Sequence, residues 1–215
     1  MKMVNRNKKL LNYYTRKAKI YDKESKEWNY IAPYEFFRFI SKYLQDDYKR
    51  VLDIGVGTGK SSISFIKEGK EVYGIDFSKK MIEVAKQYNF KDLQVGNILS
   101  GLPYNTNFFD VTISVGTCNL YQNLERLVKE MVRVTKNNGL IGFTVEGREK
   151  SQPKRWLARE AGVYVYRHSK EEIIDLIQKL DTNLLDNKTI IAYRLRPPKY
   201  KEKDVIYHAY ALRKN

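Results

Sequence analysis

The chain has 215 residues, 42% hydrophobic and 30% charged, enough to bury one substantial core without disulfides and too few for a second full domain. Its single cysteine, Cys118, excludes an internal disulfide framework and any multi-cysteine metal site, and its two distant histidines, His168 and His208, exclude an HExxH hydrolase, so no metal is expected. The net charge of +15 is uneven: +7 in residues 1–26, +5 in 148–170 and +5 in 194–215, a distribution that suits either a phosphate-binding track or ordinary solvated faces. No run approaches the ~18 apolar residues of a membrane span. The basic N-terminus, MKMVNRNKKLLNYY, lacks an apolar stretch and a cleavage site, so a cytoplasmic protein with no membrane partner is expected.

In chain order, residues 1–32 read as a helical or irregular arm rich in Lys and Tyr, followed by a Pro33-initiated helix, PYEFFRFISKYL. Five apolar runs of strand length follow: RVLDIG (50–55), EVYGID (71–76), LQVGN (93–97), FDVTISVG (109–116) and LIGFTVEG (140–147). Continuous apolar runs suit parallel strands covered on both faces. Helical stripes lie between and after them, with Leu124, Leu127, Val128, Met131 and Val132 on one helix and Ile173, Leu176, Ile177 and Leu180 on another. Strands alternating with helices imply βαβ units with right-handed crossovers. The last two runs, 184–195 and 204–213, leave no room for a crossover helix and should pair antiparallel, one of them at the sheet edge.

Chemistry concentrates at the first strand-to-helix turn, Asp53-Ile54-Gly55-Val56-Gly57-Thr58-Gly59-Lys60. Alternate glycines after a strand let the backbone turn tightly and approach a ligand. A nucleoside triphosphate loop would need glycine where Ile54 stands, and a dinucleotide fingerprint would need it where Lys60 stands. An acidic residue followed by GxGxG instead resembles the class I S-adenosylmethionine-dependent methyltransferases. Further matches in order are Asp76 at the end of the second strand, Asn97-Ile98 after the third, FDVTISVGTCNLYQN, and LVKEMVRVTKNNGLIGF.

That resemblance implies a Rossmann-like α/β three-layer sandwich. Its seven-stranded, mostly parallel sheet would have the order 3-2-1-4-5-7-6, with an antiparallel last strand between the fifth and sixth. It divides residues 1–215, as one methyltransferase domain, into an arm or lid (1–32), a cofactor-binding core (33–147), a basic inserted stretch (148–170) and a C-terminal helix with antiparallel strands (171–215). It also implies S-adenosylmethionine as cofactor, held by Asp53, Gly55, Gly57, Gly59, Asp76, Asn97 and Ile98. Asp76 would accept from the ribose hydroxyls, or cap the helix that starts near Ser78, or both. Asn97 stands where the family usually has Asp for the adenine amino group.

Methyl transfer from a sulfonium needs proximity and alignment first, and a base only for some acceptors. Asn119 and Leu120 replace the histidines that many small-molecule members carry after the fourth strand, so the catalytic group is unassigned, with His168 as the one candidate. Ser169 and Glu172 beside it read as a capping box. Tyr21, Tyr30, Cys118, Asn119 and His168 are the residues expected near the acceptor, Tyr21 and Tyr30 as an aromatic lid or as packing anchors. A small-molecule acceptor ranks first because the chain spares no residues for an RNA-binding module. RNA or DNA on the basic segments, and cofactor binding without transfer, are the alternatives.

Overall fold

The computed structural model describes residues 2–148, 152–193 and 205–215. Helices α1 (Lys2–Lys17) and α2 (Tyr21–Glu27) form the arm, and α3 (Ala32–Ile40) follows with proline in its first turn. The alternating part comprises β1 (Arg50–Ile54), α4 (Ile63–Lys67), β2 (Glu71–Asp76), α5 (Lys79–Ala85), β3 (Asp92–Val95), β4 (Phe109–Ser114), α6 (Glu125–Val134) and β5 (Thr135–Glu146). Then come β6 (Arg155–Ala158), β7 (Val163–Tyr166), α7 (Lys170–Ile177), β8 (Thr182–Ile191) and β9 (Ile206–Lys214).

One seven-stranded sheet runs β3-β2-β1-β4-β5-β9-β8. The first five strands are parallel, and β9 inserts antiparallel between β5 and β8, with Glu146 opposite Tyr207 and Leu140 opposite Arg213. This is the order the resemblance implies once the main-sheet strands are counted alone. Strand β8 takes the edge, and the expected run beyond Tyr193 lies outside the described residues.

The central strands β1, β4, β5 and β9 are largely buried on both faces because helices cover both. One layer places Phe36, Phe39 and Ile40 of α3 with Phe65 of α4 on Val51, Val72, Val111, Leu140, Ala209 and Ala211. The other places Leu127, Val128, Met131 and Val134 of α6 with Ile173 and Ile177 of α7 on Leu52, Ile54, Ile75, Ile141, Phe143 and Leu212. Alternate residues of one strand thus serve opposite layers. Gly142 lets α3 approach: a Cβ there would lie 2.1 Å from Ile40 Cδ1 and 2.8 Å from Phe36. Truncating a fully buried ring such as Phe36 to alanine costs roughly 3–5 kcal/mol at such sites.

The 148–170 stretch departs from the sequence-based expectation, which assigned it no strands. Residues Arg155–Ala158 and Val163–Tyr166 pair as an antiparallel hairpin apart from the main sheet, turned at Gly162 with φ +64°. Its Val163 and Val165 side chains pack on Leu10 of α1 and Leu120, forming a small cluster that fixes the arm to the body. Two-residue alternation in VYVY carried the signal, but the surrounding Lys and Arg residues obscured it. The capping box at Ser169 is present as expected: Glu172 N donates to Ser169 Oγ at 3.3 Å and Ser169 N to Glu172 Oε2 at 3.0 Å. Among the described residues, no helix is long and apolar enough to cross a membrane.

Candidate cofactor and acceptor site

The glycine loop leaves β1 at Ile54 and is pinned to β2, with Gly55 N and Val56 N donating to the Ile75 carbonyl at 2.8 and 3.1 Å. Gly55 sits at φ +75°, and a Cβ there would lie 2.2 Å from Thr117 Oγ1, so this position requires glycine for both conformation and space. Gly57, at φ +54°, has open space on its Cβ side, the nearest atom being the Gly55 carbonyl oxygen at 4.0 Å. Gly59 faces the Tyr88 and Phe90 rings instead.

Two carboxylates frame this loop. Asp53 is fully buried, and its Oδ2 accepts from Ser61 at 2.6 Å and Ser62 at 2.7 Å. Its Oδ1 has no partner among the described residues. Asp76, at the end of β2, accepts from Gly57 N at 3.0 Å and from Ser78 N at 2.8 Å. It therefore organises both the loop and the start of α5, whose N-cap is Ser78. Burial pushes each carboxyl up to about 6. Asn97 is exposed and its Oδ1 accepts from Leu99 N at 3.0 Å, leaving one lone pair for an adenine amino group, while Ile98 beside it is buried. A buried orphan oxygen at Asp53, free lone pairs on Asp76 and the opening at Gly57 fit a cofactor with a cationic amino group and a vicinal diol.

The arm lies across the loops at the carboxyl ends of β1, β2 and β4. Asp22 of α2 accepts from Thr58 Oγ1 at 2.6 Å and stands 3.5 Å from Lys60 Nζ. Tyr14 of α1 meets Phe77 edge to face at 5.7 Å. Tyr21 is half-buried near Asp22 and Asp76, and the Tyr30 and Tyr207 hydroxyls both border Gly116. The Tyr30 hydroxyl is so close to Gly116 that a Cβ there would lie 2.8 Å away. Burial raises all three phenols well above their ordinary range, so they are neutral donors at neutral pH. Trp28 does not join them; it packs on Tyr193 at 6.5 Å.

The remaining candidates separate. Cys118 is buried, its thiol pushed up to about 12, so it lines the core and is no nucleophile. Asn119 lies near Glu146, the last residue of β5, whose Oε1 accepts from Trp156 Nε1 at 2.8 Å and Arg167 Nε at 2.9 Å. His168 is buried, which lowers its pKa, and its Nε2 donates to the Tyr121 carbonyl at 3.1 Å. Its neutral ring ties the segment after β4 to the strand preceding α7, and that nitrogen is not available as a base. Sequence reasoning missed Asp22, Glu146 and Tyr207. Glu146 ends an apolar strand as Asp76 does, a signal that was available; Asp22 and Tyr207 depend on tertiary packing.

Several cations of the basic clusters are held by carboxylates. Lys17 pairs with Glu24 at 2.6 Å and Glu160 at 3.4 Å, Lys154 and Arg148 with Glu172 at 2.7 and 3.4 Å, and Arg167 with Glu146. The arm and the 148–170 stretch do converge at the carboxyl ends of the strands, whereas Arg213 pairs opposite Leu140 at the far end of β5. The rest of the third cluster, Arg194 to Lys203, lies outside the described residues, as do Glu149 to Ser151.

Residues 52–143 match a family described as methyltransferase domain. An uncharacterised protein of Methanocaldococcus jannaschii is 37% identical over 134 residues, which is 62% of this chain and 50% of that protein. The demethylmenaquinone methyltransferase of Renibacterium salmoninarum is 39% identical over 94 residues, 43% of this chain and 39% of that enzyme. The matched stretch thus spans half or less of these relatives' lengths. Among solved structures, an S-adenosylmethionine-dependent methyltransferase of Methanosarcina mazei shares the fold with a TM-score of 0.68 at 19% identity, over 82% of this chain and 96% of that one.

Proposed function

We propose that the chain, whose residues 52–143 match a methyltransferase domain, is a class I S-adenosylmethionine-dependent methyltransferase that transfers a methyl group to a small-molecule acceptor by in-line displacement. S-adenosylmethionine, when bound, supplies an electrophilic methyl carbon on a positively charged sulfur. The chain's own residues do the positioning. Gly55 and Gly57 admit the cofactor against the backbone, Asp76 accepts from the ribose hydroxyls, and Asp53 offers its free oxygen to cationic groups. Asn97 and Ile98 meet the adenine edge. Tyr21, Tyr30 and Tyr207, together with Asn119, form the wall on the acceptor side. Held by Asp22 and Tyr14, the arm excludes water from the reacting atoms.

The observation that carries this reading is the orphan oxygen of Asp53 and the doubly anchored Asp76 on either side of an open Gly57, all beneath a docked arm. The docked arm over the loops, with Arg148, Lys154 and Arg167 of the 148–170 stretch each held by a carboxylate, supports a compact acceptor over a nucleic acid. The test is to incubate the protein with methyl-labelled S-adenosylmethionine, a small-molecule extract and bulk RNA. Label is expected in the low-mass fraction; label confined to RNA would replace this reading with the nucleic-acid one.

A further inference from the structure

Apart from the cofactor cradle, a groove of about 1050 Å³ opens between the first turns of α1, the segment after β4, the β6–β7 hairpin and α7. Its floor is apolar, made by Leu120, Leu124, Ile173 and Leu176 with the rings of Tyr121 and Tyr166. Its rim is basic. Two of the acids along it are offset, Glu172 by Lys154 and Arg148 and Glu125 by Lys129 at 2.7 Å, while Asp175 of α7 is exposed.

Lys154 and Arg167 of the rim are paired with Glu172 and Glu146, whereas Arg6 and Arg155 have no carboxylate partner among the described residues. Arg6 donates to the carbonyls of Leu120 and Tyr164 and lies 5.6 Å from the Tyr166 ring centre, while its Nε is buried without an acceptor. Arg155 stacks 4.4 Å over the Tyr164 ring, its charge exposed. A buried guanidinium nitrogen lacking an acceptor is a group that an incoming anion satisfies. The inner end of the groove is Tyr121, whose ring joins both the main core and the arm cluster and whose phenol is within electrostatic reach of Asp76 and Arg6. A ligand in the groove would therefore run from a basic mouth toward the cofactor carboxylate.

We propose that this groove holds the non-reacting body of the acceptor, an amphipathic small molecule with an apolar body and an anionic head placed at Arg6 and Arg155. The assignment rests on the methyl-transfer reading above. An apolar body removes the floor from water, and the head pairs with guanidinium groups whose own counter-charges are absent.

The test uses the full chain and calorimetric titration with decanoate, with decanol, decylamine and acetate as neutral, cationic and headgroup-only controls. Each protein is also titrated with S-adenosylhomocysteine, which reports the cradle alone. Decanoate is expected to bind well above all three controls, and Arg155→Glu is expected to weaken it roughly tenfold with S-adenosylhomocysteine affinity unchanged. Leu176→Gln, on the partly exposed floor, should weaken decanoate through the apolar half in the same way. Equal binding of decylamine, or decanoate affinity indifferent to both substitutions, would overturn the proposal while leaving the methyl-transfer reading in place. Absence of S-adenosylhomocysteine binding in the unmodified chain would overturn both.

Discussion

Asp22 of the arm accepts a 2.6 Å hydrogen bond from Thr58 in the glycine loop, so the arm and the loop are joined by a direct side-chain contact. Replacing Asp22 by alanine removes this bond and the nearby charge facing Lys60. Asp22→Ala should weaken S-adenosylmethionine binding by about tenfold, the worth of one charged hydrogen bond. Hydrogen exchange should accelerate in residues 2–28 and stay unchanged in β1 and β4. Unchanged exchange in the arm would show that Tyr14 and Arg6 alone keep it docked.

Asp53 and Asp76 give the site opposing pH dependences. Both carboxyls sit near 6 in the folded chain because burial disfavours their charge. A raised folded pKa means the folded state holds protons that the unfolded state has released, so the unliganded protein gains stability as pH falls from 7 toward 5. Cofactor binding needs the ionised forms and should weaken by up to about tenfold per pH unit below 6 for each proton taken up. Urea unfolding and calorimetric titration at pH 5 and 7 measure the two trends; affinity that rises on acidification would contradict the assignment of these carboxylates.

Glu146 and Arg167 form a buried pair at 2.9 Å beside Trp156. Arg167→Met leaves the carboxylate buried without its cation and should cost about 3 kcal/mol at pH 7. Burial already raises the Glu146 pKa, and loss of Arg167 raises it further, so the variant should recover stability as pH falls and the carboxyl takes a proton. Urea midpoints across pH 5 to 8 would show this; a deficit that does not depend on pH would mean that packing, and not charge, is what Arg167 supplies.

The sheet was legible because its strands are buried on both faces, so runs such as FDVTISVG stand out without any partner being known. The glycine loop was legible because its backbone conformation, with Gly55 and Gly57 at positive φ, is a local property, as is the place of Asp76 at a strand end. Residues that act across the fold were not. Asp22 reads as one more charge in a basic arm, and Tyr207 as a strand residue, until β9 sets it opposite Glu146 with its hydroxyl beside Gly116, as that of Tyr30 is. His168 illustrates the converse: as a histidine in a loop before a helix it reads as a candidate base, but the Tyr121 carbonyl occupies its Nε2.

The central claim is that Asp76 holds the ribose of S-adenosylmethionine beside the open Gly57. Calorimetric titration of the unmodified chain and of Asp76→Ala tests it most directly, with circular dichroism to confirm that the variant is folded. Saturable binding to the unmodified chain and at least a hundredfold loss in the variant are expected, since roughly two charged hydrogen bonds disappear. Equal affinity in the two proteins would contradict the ribose assignment, and no binding to the unmodified chain would contradict cofactor use altogether.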